Sequence, residues 1–271
     1  MLSEIELKQI FAEAGAIITD DHFVYAKKEK GWFHGPAYVN KDNIYLHTHQ
    51  VRLLCRDFVE HFKNRQVDVV VGPTVGAVIL AHWTAHLLTL LREGLFPAKE
   101  VFAVCADEED VSEQKQETMG TVGCREFLAN GIVKIEGVPD SLGKFGSLVK
   151  ITFSTKVGTR RVIKRGYDKL VKGKRCLIVE DVINSGLTVA KTRDAVLEAG
   201  GEVIGVGCLC NRSGMKSTAE TFGVADLFSL LDLDMQMYPE SECPICKERG
   251  PKSVRTDLGK GKEFLIRMGL A

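Results

Sequence analysis

Four short and almost continuously apolar segments constrain the fold of this chain more than any other feature. They are rich in β-branched residues and alternate with helical patterns: Val67–Val71, Val101–Cys105, Cys176–Val179 and Val203–Leu209. Segments without polar alternation are typical of parallel strands that are covered on both faces. The sequence therefore predicts an α/β fold, an open and mostly parallel sheet flanked by helices, which binds ligands beyond the carboxyl ends of its strands.

Helical spacing marks two of the intervening segments, Gly76–Arg92 and Leu187–Ala199, and glycines follow both, as is common after a last helical turn. Residues 1–55 instead combine a helical start with an aromatic, glycine-rich stretch and are predicted to form a small N-terminal appendage. Residues 56–240 are predicted to form the core, with an insertion at about 107–160, and residues 241–271 a C-terminal tail.

The charges of the chain balance in total but are segregated along it. Thirty-six basic residues face 36 acidic ones, and this zero net charge argues against a general nucleic-acid binder. Residues 106–118 nevertheless hold six acids and one lysine, net −5, whereas residues 156–175 hold nine bases and one aspartate, net +8. The basic segment is either a solvated strand face, a short anion patch for RNA, or part of a local anion site.

Targeting signals are weak throughout the sequence. The apolar stretch Val75–Leu91 contains two histidines and two threonines and is short for a bilayer span, so we expect a buried helix. The start of the chain lacks the basic and apolar regions of a secretory signal. We therefore expect a cytoplasmic protein with no membrane partner, whose eight cysteines are reduced thiols.

The most informative motif is the stretch Cys176–Thr188. An apolar strand ends in Glu180 and Asp181, and a small polar turn then opens a helix. The free N–H groups of such a turn, together with the Ser185 and Thr188 hydroxyls, are suited to a phosphate. The two carboxylates are suited to sugar hydroxyls or to Mg²⁺. The motif thus predicts a ribose 5-phosphate site, and the alternative is an ordinary strand-turn-helix with surface acids.

This motif resembles the phosphoribosyl pyrophosphate (PRPP) motif of the type I phosphoribosyltransferases. Further segments are similar to the orotate phosphoribosyltransferases of that family. They are Glu13–Ile17, His22–Val24 and His34–Asp42 near the N-terminus, the loop Val71–Ala77, Leu209–Ser213 with its Arg212, and the tail Tyr238–Cys246. The resemblance covers roughly two thirds of the chain in scattered blocks, and the PRPP motif is its most specific part.

The resemblance implies transfer of phosphoribose from PRPP to orotate with Mg²⁺, in a homodimer with an N-terminal hood over the base. It implies the following roles: Glu180 and Asp181 for the ribose hydroxyls and Mg²⁺; Asn184, Ser185, Gly186, Leu187 and Thr188 for the 5-phosphate; Thr74, Val75 and Gly76 for pyrophosphate; Phe23, Lys27 and Arg212 for the base.

One family feature is replaced in this chain. The family usually carries an Arg-Lys-Glu run on a catalytic loop after the strand equivalent to Val101–Cys105, where this sequence has Ala106–Glu109. The basic residues Lys164 and Arg165, after the insertion, are the catalytic candidates in its place. An enzyme for adenine or another base, and a PRPP-sensing regulator without turnover, remain alternatives. Asn184 disfavours 6-oxopurine enzymes, which usually place an aspartate there as proton acceptor.

Histidines and cysteines suggest a metal only weakly. His82 and His86 have i, i+4 spacing on the apolar helix but lack the zincin pattern, so we expect them to pack in the core or at an interface. Cys243 and Cys246 form a single CxxC pair. With Cys208 and Cys210 it could complete a four-ligand zinc site, but one pair is weak evidence for such a site.

Overall fold

A computed structural model describes residues 1–25, 27, 31–73, 75–92, 99–119, 132–136, 149–213 and 217–270. Its helices are α1 (Glu4–Glu13), α2 (Asp42–Tyr45), α3 (Thr48–Phe62), α4 (Val75–Arg92), α5 (Tyr167–Val171), α6 (Leu187–Glu198), α7 (Ala219–Phe222), α8 (Pro244–Arg249) and α9 (Gly261–Arg267). Its strands are β1 (Ile17–Ile18), β2 (Phe23–Val24), β3 (Phe33–Gly35), β4 (Tyr38–Val39), β5 (Val69–Gly72), β6 (Phe102–Cys105), β7 (Asp107–Met119), β8 (Ile132–Glu136), β9 (Val149–Val162), β10 (Arg175–Ile183), β11 (Glu202–Asn211), β12 (Leu227–Asp232) and β13 (Tyr238–Pro239).

A five-stranded sheet forms the centre of the larger of two compact units. Its strand order is β12-β11-β10-β5-β6, and every neighbouring pair is parallel. The predicted open α/β sheet is therefore confirmed, and the four predicted strands are β5, β6, β10 and β11. The sequence interpretation missed β12, an edge strand that is half-exposed along most of its length and therefore lacks a continuously apolar pattern.

Both faces of this sheet are covered, as the apolar strands require. Successive side chains of a strand point to opposite faces, so Leu177 and Ile178 of β10 belong to different apolar clusters. Leu177 packs in a cluster with residues of α1, α3 and α4, among them Phe58. Ile178 packs in a cluster with Val189 and Val196 of α6. β10 is therefore covered on both faces and is the central strand of this sheet, and ligands of such sheets bind beyond the carboxyl ends of the strands.

Helix α4 is long and apolar enough to cross a membrane by length and composition alone. Core helices of soluble proteins pass the same test, and α4 contributes Leu80, Ala85 and Leu88 to the core beside α3. Only one face of the helix is thus buried, whereas the sequence predicted a buried helix. The expected cytoplasmic location stays a prediction.

The N-terminal and C-terminal segments meet in one small sheet of order β13-β3-β2. Within it, His34 of β3 pairs with Val24 of β2 on one side and with Tyr238 of β13 on the other. We call this sheet, together with the tail that follows β13, the hood. The hood therefore includes residues from the end of the chain as well as from its start. The predicted division of the chain at residues 55 and 240 stays a prediction.

The second compact unit comprises Glu108–Val162. Its described residues form a sheet of order β7-β9-β8, in which β8 and β9 are antiparallel and Ile132 pairs with Ser154. Residues 120–131 and 137–148 of the predicted insertion lie outside the described residues.

Two expectations about histidine and cysteine side chains are corrected. His82 and His86 are exposed on α4, because the buried face of this helix is offset from them, so they do not pack in the core. Cys208 and Cys210 are buried in β11, where the Cys208 thiol donates to the carbonyl oxygens of Asp181 and Cys210. The central sheet thus holds these two cysteines, and the CxxC pair has other neighbours.

Candidate active site

Glu180 and Asp181 lie near the carboxyl end of β10 and are only 2% and 3% exposed. The backbone N–H of Asp181 donates to Glu180 Oε1 at 3.0 Å, and that of Val182 donates to Asp181 Oδ1 at 2.7 Å. Backbone donors of this kind hold the side chains in fixed orientations. The alternative of solvated surface acids is wrong for this pair, since both carboxyls are buried.

Lys41 and Tyr45 complete the surroundings of the acid pair. Lys41 Nζ donates to Asp181 Oδ2 at 2.5 Å, and the Tyr45 hydroxyl donates to the same oxygen at 3.4 Å. Burial alone would lower the pKa of Lys41, but the Asp181 carboxylate outweighs it and the pKa is raised. Burial, followed by the Asp181 charge, raises the pKa of Glu180. Two adjacent carboxyls therefore share one lysine, and a bound cation would favour the ionised form of Glu180.

The predicted phosphate turn has a geometry that only glycine permits at position 186. Gly186 has a φ of +73°, and a Cβ there would lie 2.2 Å from Phe222 Cε1. The Ala190 N–H donates to the Gly186 carbonyl at 2.9 Å, and no side chain caps the start of α6. The first N–H groups of a helix have no partner within the helix, so they are available to an anion. Asn184 and Ser185 are exposed in the same turn.

The predicted pyrophosphate loop lies beside the acid pair. Gly76 begins the buried face of α4, and a Cβ on it would lie 2.6 Å from both Asp181 Oδ2 and the Tyr45 hydroxyl. Val75 is 86% exposed at the start of this helix, and Thr74 lies outside the described residues. Because position 76 is a glycine, the start of α4 approaches Asp181 closely.

A cavity of about 1010 Å³ opens beside the phosphate turn. One wall is the turn Asn184–Leu187, and the opposite wall comes from the hood and tail, including Tyr25, Tyr38 and Gly259. Its lining residues, all within the described part of the chain, include the three cations Lys27, Arg212 and Lys260 and no carboxylate. Lys260 also pairs with Glu263 at 2.7 Å. This cavity is therefore suited to an anionic ligand.

Arg212 is placed between the two walls of the cavity. Its backbone N–H donates to the Ile183 carbonyl at 2.7 Å, and its guanidinium carbon lies 5.5 Å from the centre of the Tyr25 ring. The Arg212 Nε is buried and has no hydrogen-bond partner among the described residues. An unpaired buried donor is costly, so this nitrogen is suited to a carboxylate or carbonyl oxygen of a ligand.

The other predicted base contacts fall in different places. Lys27 is exposed and lines the cavity, whereas Phe23 is completely buried and stacks on Tyr38 with ring centres 5.3 Å apart. Phe23 thus supports the cavity wall and does not reach the cavity in this structure. Thr188, a predicted phosphate contact, is half-buried in the first turn of α6 and is not part of the lining.

Several site residues had no assigned role in the sequence interpretation: Lys41, Tyr45, Tyr25, Tyr38 and Lys260. A signal existed for two of them, since Tyr38 and Lys41 lie in the segment that resembles the family's hood. Lys260 is brought to the cavity by the tail, where its backbone N–H donates to the Val24 carbonyl at 2.8 Å. Nothing in the local sequence indicates that contact.

Lys164 and Arg165, the predicted catalytic cations, lie after the insertion and are exposed. Arg165 has a φ of +63° and contacts both Asp107 oxygens, each at 3.2 Å. The Asp107 charge raises the pKa of Arg165. Asp107 follows β6, and β5 separates β6 from the acid-bearing β10. Arg165 is therefore brought to the correct edge of the sheet, but its charge is engaged by the acidic segment.

Acidic and basic segments also pair within the second unit. Arg160 donates to Glu109 Oε2 at 3.1 and 2.9 Å, and Arg161 lies 3.4 Å from Glu108. Exposed pairs of this kind contribute little to stability. They do neutralise much of the local charge, so the two opposed segments seen in the sequence are ion-pair partners.

The parallel sheet, the acid pair and the glycine turn are features of an α/β protein that binds a phosphorylated sugar. The family model of the phosphoribosyl transferase domain matches residues 42–233, and the chain belongs to this family. It is 27% identical over 235 residues to the orotate phosphoribosyltransferase of Caldanaerobacter subterraneus subsp. tengcongensis, covering 87% of this chain and 88% of that protein. It is also 27% identical to the orotate phosphoribosyltransferase of Caldicellulosiruptor saccharolyticus, covering 90% and 91%.

Solved structures of the same kind are similar to the fold. The adenine phosphoribosyltransferase of Rhodothermus marinus has a TM-score of 0.46 at 18% identity, covering 85% of this chain and 100% of its own. The Mycobacterium tuberculosis orotate phosphoribosyltransferase in complex with Fe(III) dicitrate also has a TM-score of 0.46, at 19% identity, covering 84% and 95%.

Proposed function

We propose that this phosphoribosyltransferase transfers the phosphoribosyl group of PRPP to orotate, forming orotidine 5′-monophosphate and pyrophosphate. The observation that carries the proposal is the cationic cavity, in which the buried Arg212 Nε has no partner among the described residues. Relatives at 27% identity over most of the chain are named orotate phosphoribosyltransferases, which supports the same substrate.

The charge of the cavity favours orotate over adenine. Orotate carries a carboxylate, and adenine is neutral, whereas the described lining offers Lys27 and Arg212 and no acid. A guanidinium can bind a carboxylate through two parallel hydrogen bonds. Asn184 separately disfavours the 6-oxopurines, because an amide cannot accept a proton from such a base, but it does not distinguish orotate from adenine.

The chain's residues have separable tasks in the proposed reaction. A ring nitrogen of orotate attacks the anomeric carbon, and the bond from that carbon to the pyrophosphate oxygen breaks. Glu180 and Asp181 accept hydrogen bonds from the ribose hydroxyls, and the charge of Asp181 stabilises the positive charge that develops on the ribose. The turn Asn184–Leu187 holds the 5-phosphate, and the start of α4 at Gly76 faces the departing pyrophosphate.

The acid pair also fits a magnesium ion. Oxygen ligands are those that Mg²⁺ prefers, and two adjacent carboxyls are balanced by the single cation Lys41. We propose that Glu180 and Asp181 hold Mg²⁺ together with PRPP, directly or through water. The ion would supply positive charge to the pyrophosphate as it leaves. The homodimer implied by the resemblance likewise stays a prediction.

The test is a direct assay of base consumption. Orotate absorbance is followed with PRPP and Mg²⁺, and adenine is assayed in parallel with the same enzyme preparation. We expect turnover of orotate that depends on PRPP and Mg²⁺, and little or none of adenine. Turnover of adenine without turnover of orotate would overturn the proposal.

A PRPP-sensing regulator is the second candidate, and the Asp107–Arg165 contact favours it, because it engages a predicted catalytic cation. Saturable PRPP binding with no base consumed would support this candidate. If the protein is an enzyme, neutralising Lys164 and Arg165 together should lower turnover more than neutralising Lys172 and Lys174. Equal effects would remove the catalytic role from Lys164 and Arg165.

A further inference from the structure

Two histidines and two cysteines from distant parts of the chain meet in the hood. His22 and His34 come from the N-terminal strands, and Cys243 and Cys246 come from the start of α8. One ligand atom from each residue lies within 4.8 Å of the other three. Both histidines and Cys243 are at most 1% exposed. Four soft or borderline ligands without an open position are typical of a structural zinc site.

Four of the six distances among these atoms are close to the edges of a zinc tetrahedron, and all six are within 4.8 Å. His22 Nε2 lies 3.1 Å from His34 Nδ1, 3.5 Å from Cys243 Sγ and 3.6 Å from Cys246 Sγ, and Cys246 Sγ lies 3.4 Å from His34 Nδ1. Zn–S bonds of about 2.3 Å and Zn–N bonds of about 2.0–2.1 Å at tetrahedral angles place ligand atoms about 3.3–3.8 Å apart. Small side-chain adjustments would therefore bring all four atoms to bonding distance of one zinc ion.

The hydrogen bond at His22 Nδ1, on the side of the ring away from the cluster, leaves a lone pair on Nε2, which faces the cluster. Ser253 Oγ donates its proton to the Gly250 carbonyl at 2.7 Å, so it can only accept from His22 Nδ1, which lies 2.7 Å away. The proton of a neutral His22 is thus on Nδ1, and its Nε2 has a free lone pair. A hydrogen bond at the second ring nitrogen is the usual way in which proteins orient a zinc-binding histidine.

His34 is oriented in the same way from the other side. Its Nε2 lies 3.4 Å from Glu240 Oε2, and Arg267 donates to both oxygens of this carboxylate at 3.2 and 2.7 Å. A carboxylate paired with arginine only accepts, so the proton of a neutral His34 is on Nε2. The two inner nitrogens then present lone pairs to each other at 3.1 Å. That arrangement is repulsive unless a proton or a metal ion lies between them.

The apolar packing beside the four residues is limited in extent. Its cluster contains the buried residues Val24, Val254 and Phe264, with Trp32, Cys246 and Leu265 partly buried against them, in the described part of the chain. A metal that bridges such a small apolar cluster adds stability by binding only the folded state. The cysteines are free thiols in this structure. We infer that His22, His34, Cys243 and Cys246 bind one structural Zn²⁺, which joins the N-terminal strands to the C-terminal tail.

The experiment uses the full chain without a histidine tag, expressed with added zinc and purified without chelator. Elemental analysis should find one zinc per chain. X-ray absorption at the zinc edge should show two sulfur and two nitrogen neighbours. In the Cys243→Ser/Cys246→Ser double variant, we expect the zinc to be lost, whereas the control Cys105→Ser should keep one zinc per chain.

Cobalt exchange is the second measurement and does not depend on the folding of a variant. The unmodified chain loaded with Co²⁺ should show the intense visible bands of a tetrahedral site and a thiolate charge-transfer band. Three results would each overturn the zinc site. They are the absence of stoichiometric zinc, a shell of oxygen and nitrogen ligands only, and a Cys243–Cys246 disulfide in the chain as first purified, before any treatment with chelator.

Discussion

The two walls of the cavity are built in different ways. The phosphate wall is one continuous piece of chain, in which the end of β10, the turn Asn184–Gly186 and the start of α6 follow each other directly. The base wall is assembled from residues more than 200 positions apart, such as Tyr25 and Lys260. A wall made of one continuous segment is held in its geometry by local backbone hydrogen bonds. A wall made of distant segments depends on the tertiary contacts that join those segments. We therefore expect perturbations of the two walls to affect different kinetic constants.

The largest effect is expected on the phosphate wall. Asp181→Asn keeps the shape of the side chain but removes the charge that, on the proposed function, faces the ribose, so turnover should fall by about 10²–10³. The matched control, Asp194→Asn, changes an exposed aspartate on the following helix and should leave kcat near that of the unmodified enzyme. The measurement is kcat and the KM for PRPP. Unchanged PRPP kinetics in Asp181→Asn would show that the ribose is not placed at this carboxylate.

A smaller effect is expected from the cation that lies between the walls. Arg212→Gln should raise the KM for orotate roughly 10–100-fold, the cost of a charged hydrogen bond of about 1.5–3 kcal/mol, with little change in the KM for PRPP. Arg212→Lys separates charge from geometry, since lysine keeps the charge but cannot bind a carboxylate through two parallel bonds. Steady-state kinetics with each substrate varied measures both. An equal rise in both KM values would indicate that Arg212 is not specific to the base.

The difference between the continuous phosphate wall and the assembled base wall also explains which features could be predicted from the sequence. Glu180, Asp181 and the glycine turn form one uninterrupted motif, and their strand and helix periodicities agree with it, so the sheet and the phosphate wall could be predicted locally. The partners of the motif could not, because Lys41 reaches Asp181 across 140 residues and Lys260 depends on the path of the tail. The zinc ligands show the limit most clearly. The CxxC pair can be recognised in the sequence, but its histidine partners cannot, because His22 and His34 are brought to it by the pairing of β2, β3 and β13.

Metal removal should perturb only the assembled wall. If the proposed function is correct, removal of zinc by a chelator followed by resupply of Mg²⁺ should raise the KM for orotate roughly 10-fold. This is less than the ~10² that a 1 Å misplacement of a reacting group can cost. The KM for PRPP should stay nearly unchanged. Restoring zinc should restore the lower value. The Cys105→Ser variant, treated identically, should respond as the unmodified chain does. A fall in PRPP affinity of the same size would mean that the zinc-bound hood supports both walls.

The smallest effect is one of stability at the acid pair, and it depends on pH. Burial and Asp181 raise the pKa of Glu180, so the folded protein holds a proton that the unfolded chain releases above its ordinary carboxyl pKa. Stability attributable to Glu180 is therefore lost as pH rises from that ordinary value to the raised one. Glu180→Gln keeps an oxygen acceptor for the Asp181 N–H and avoids this loss.

The Tm of Glu180→Gln should consequently exceed that of the unmodified chain by an amount that grows between pH 5 and pH 9. A difference of about 1 kcal/mol corresponds to about 2–4 °C for a chain near this length. The control is Glu202→Gln, an exposed glutamate at the start of β11, measured over the same range. A Tm difference that is constant or shrinks with rising pH would show that Glu180 is ionised throughout. That result would mean that burial and the Asp181 charge do not raise the pKa of Glu180, and the acid pair of the phosphate wall would then be stable without a shared proton.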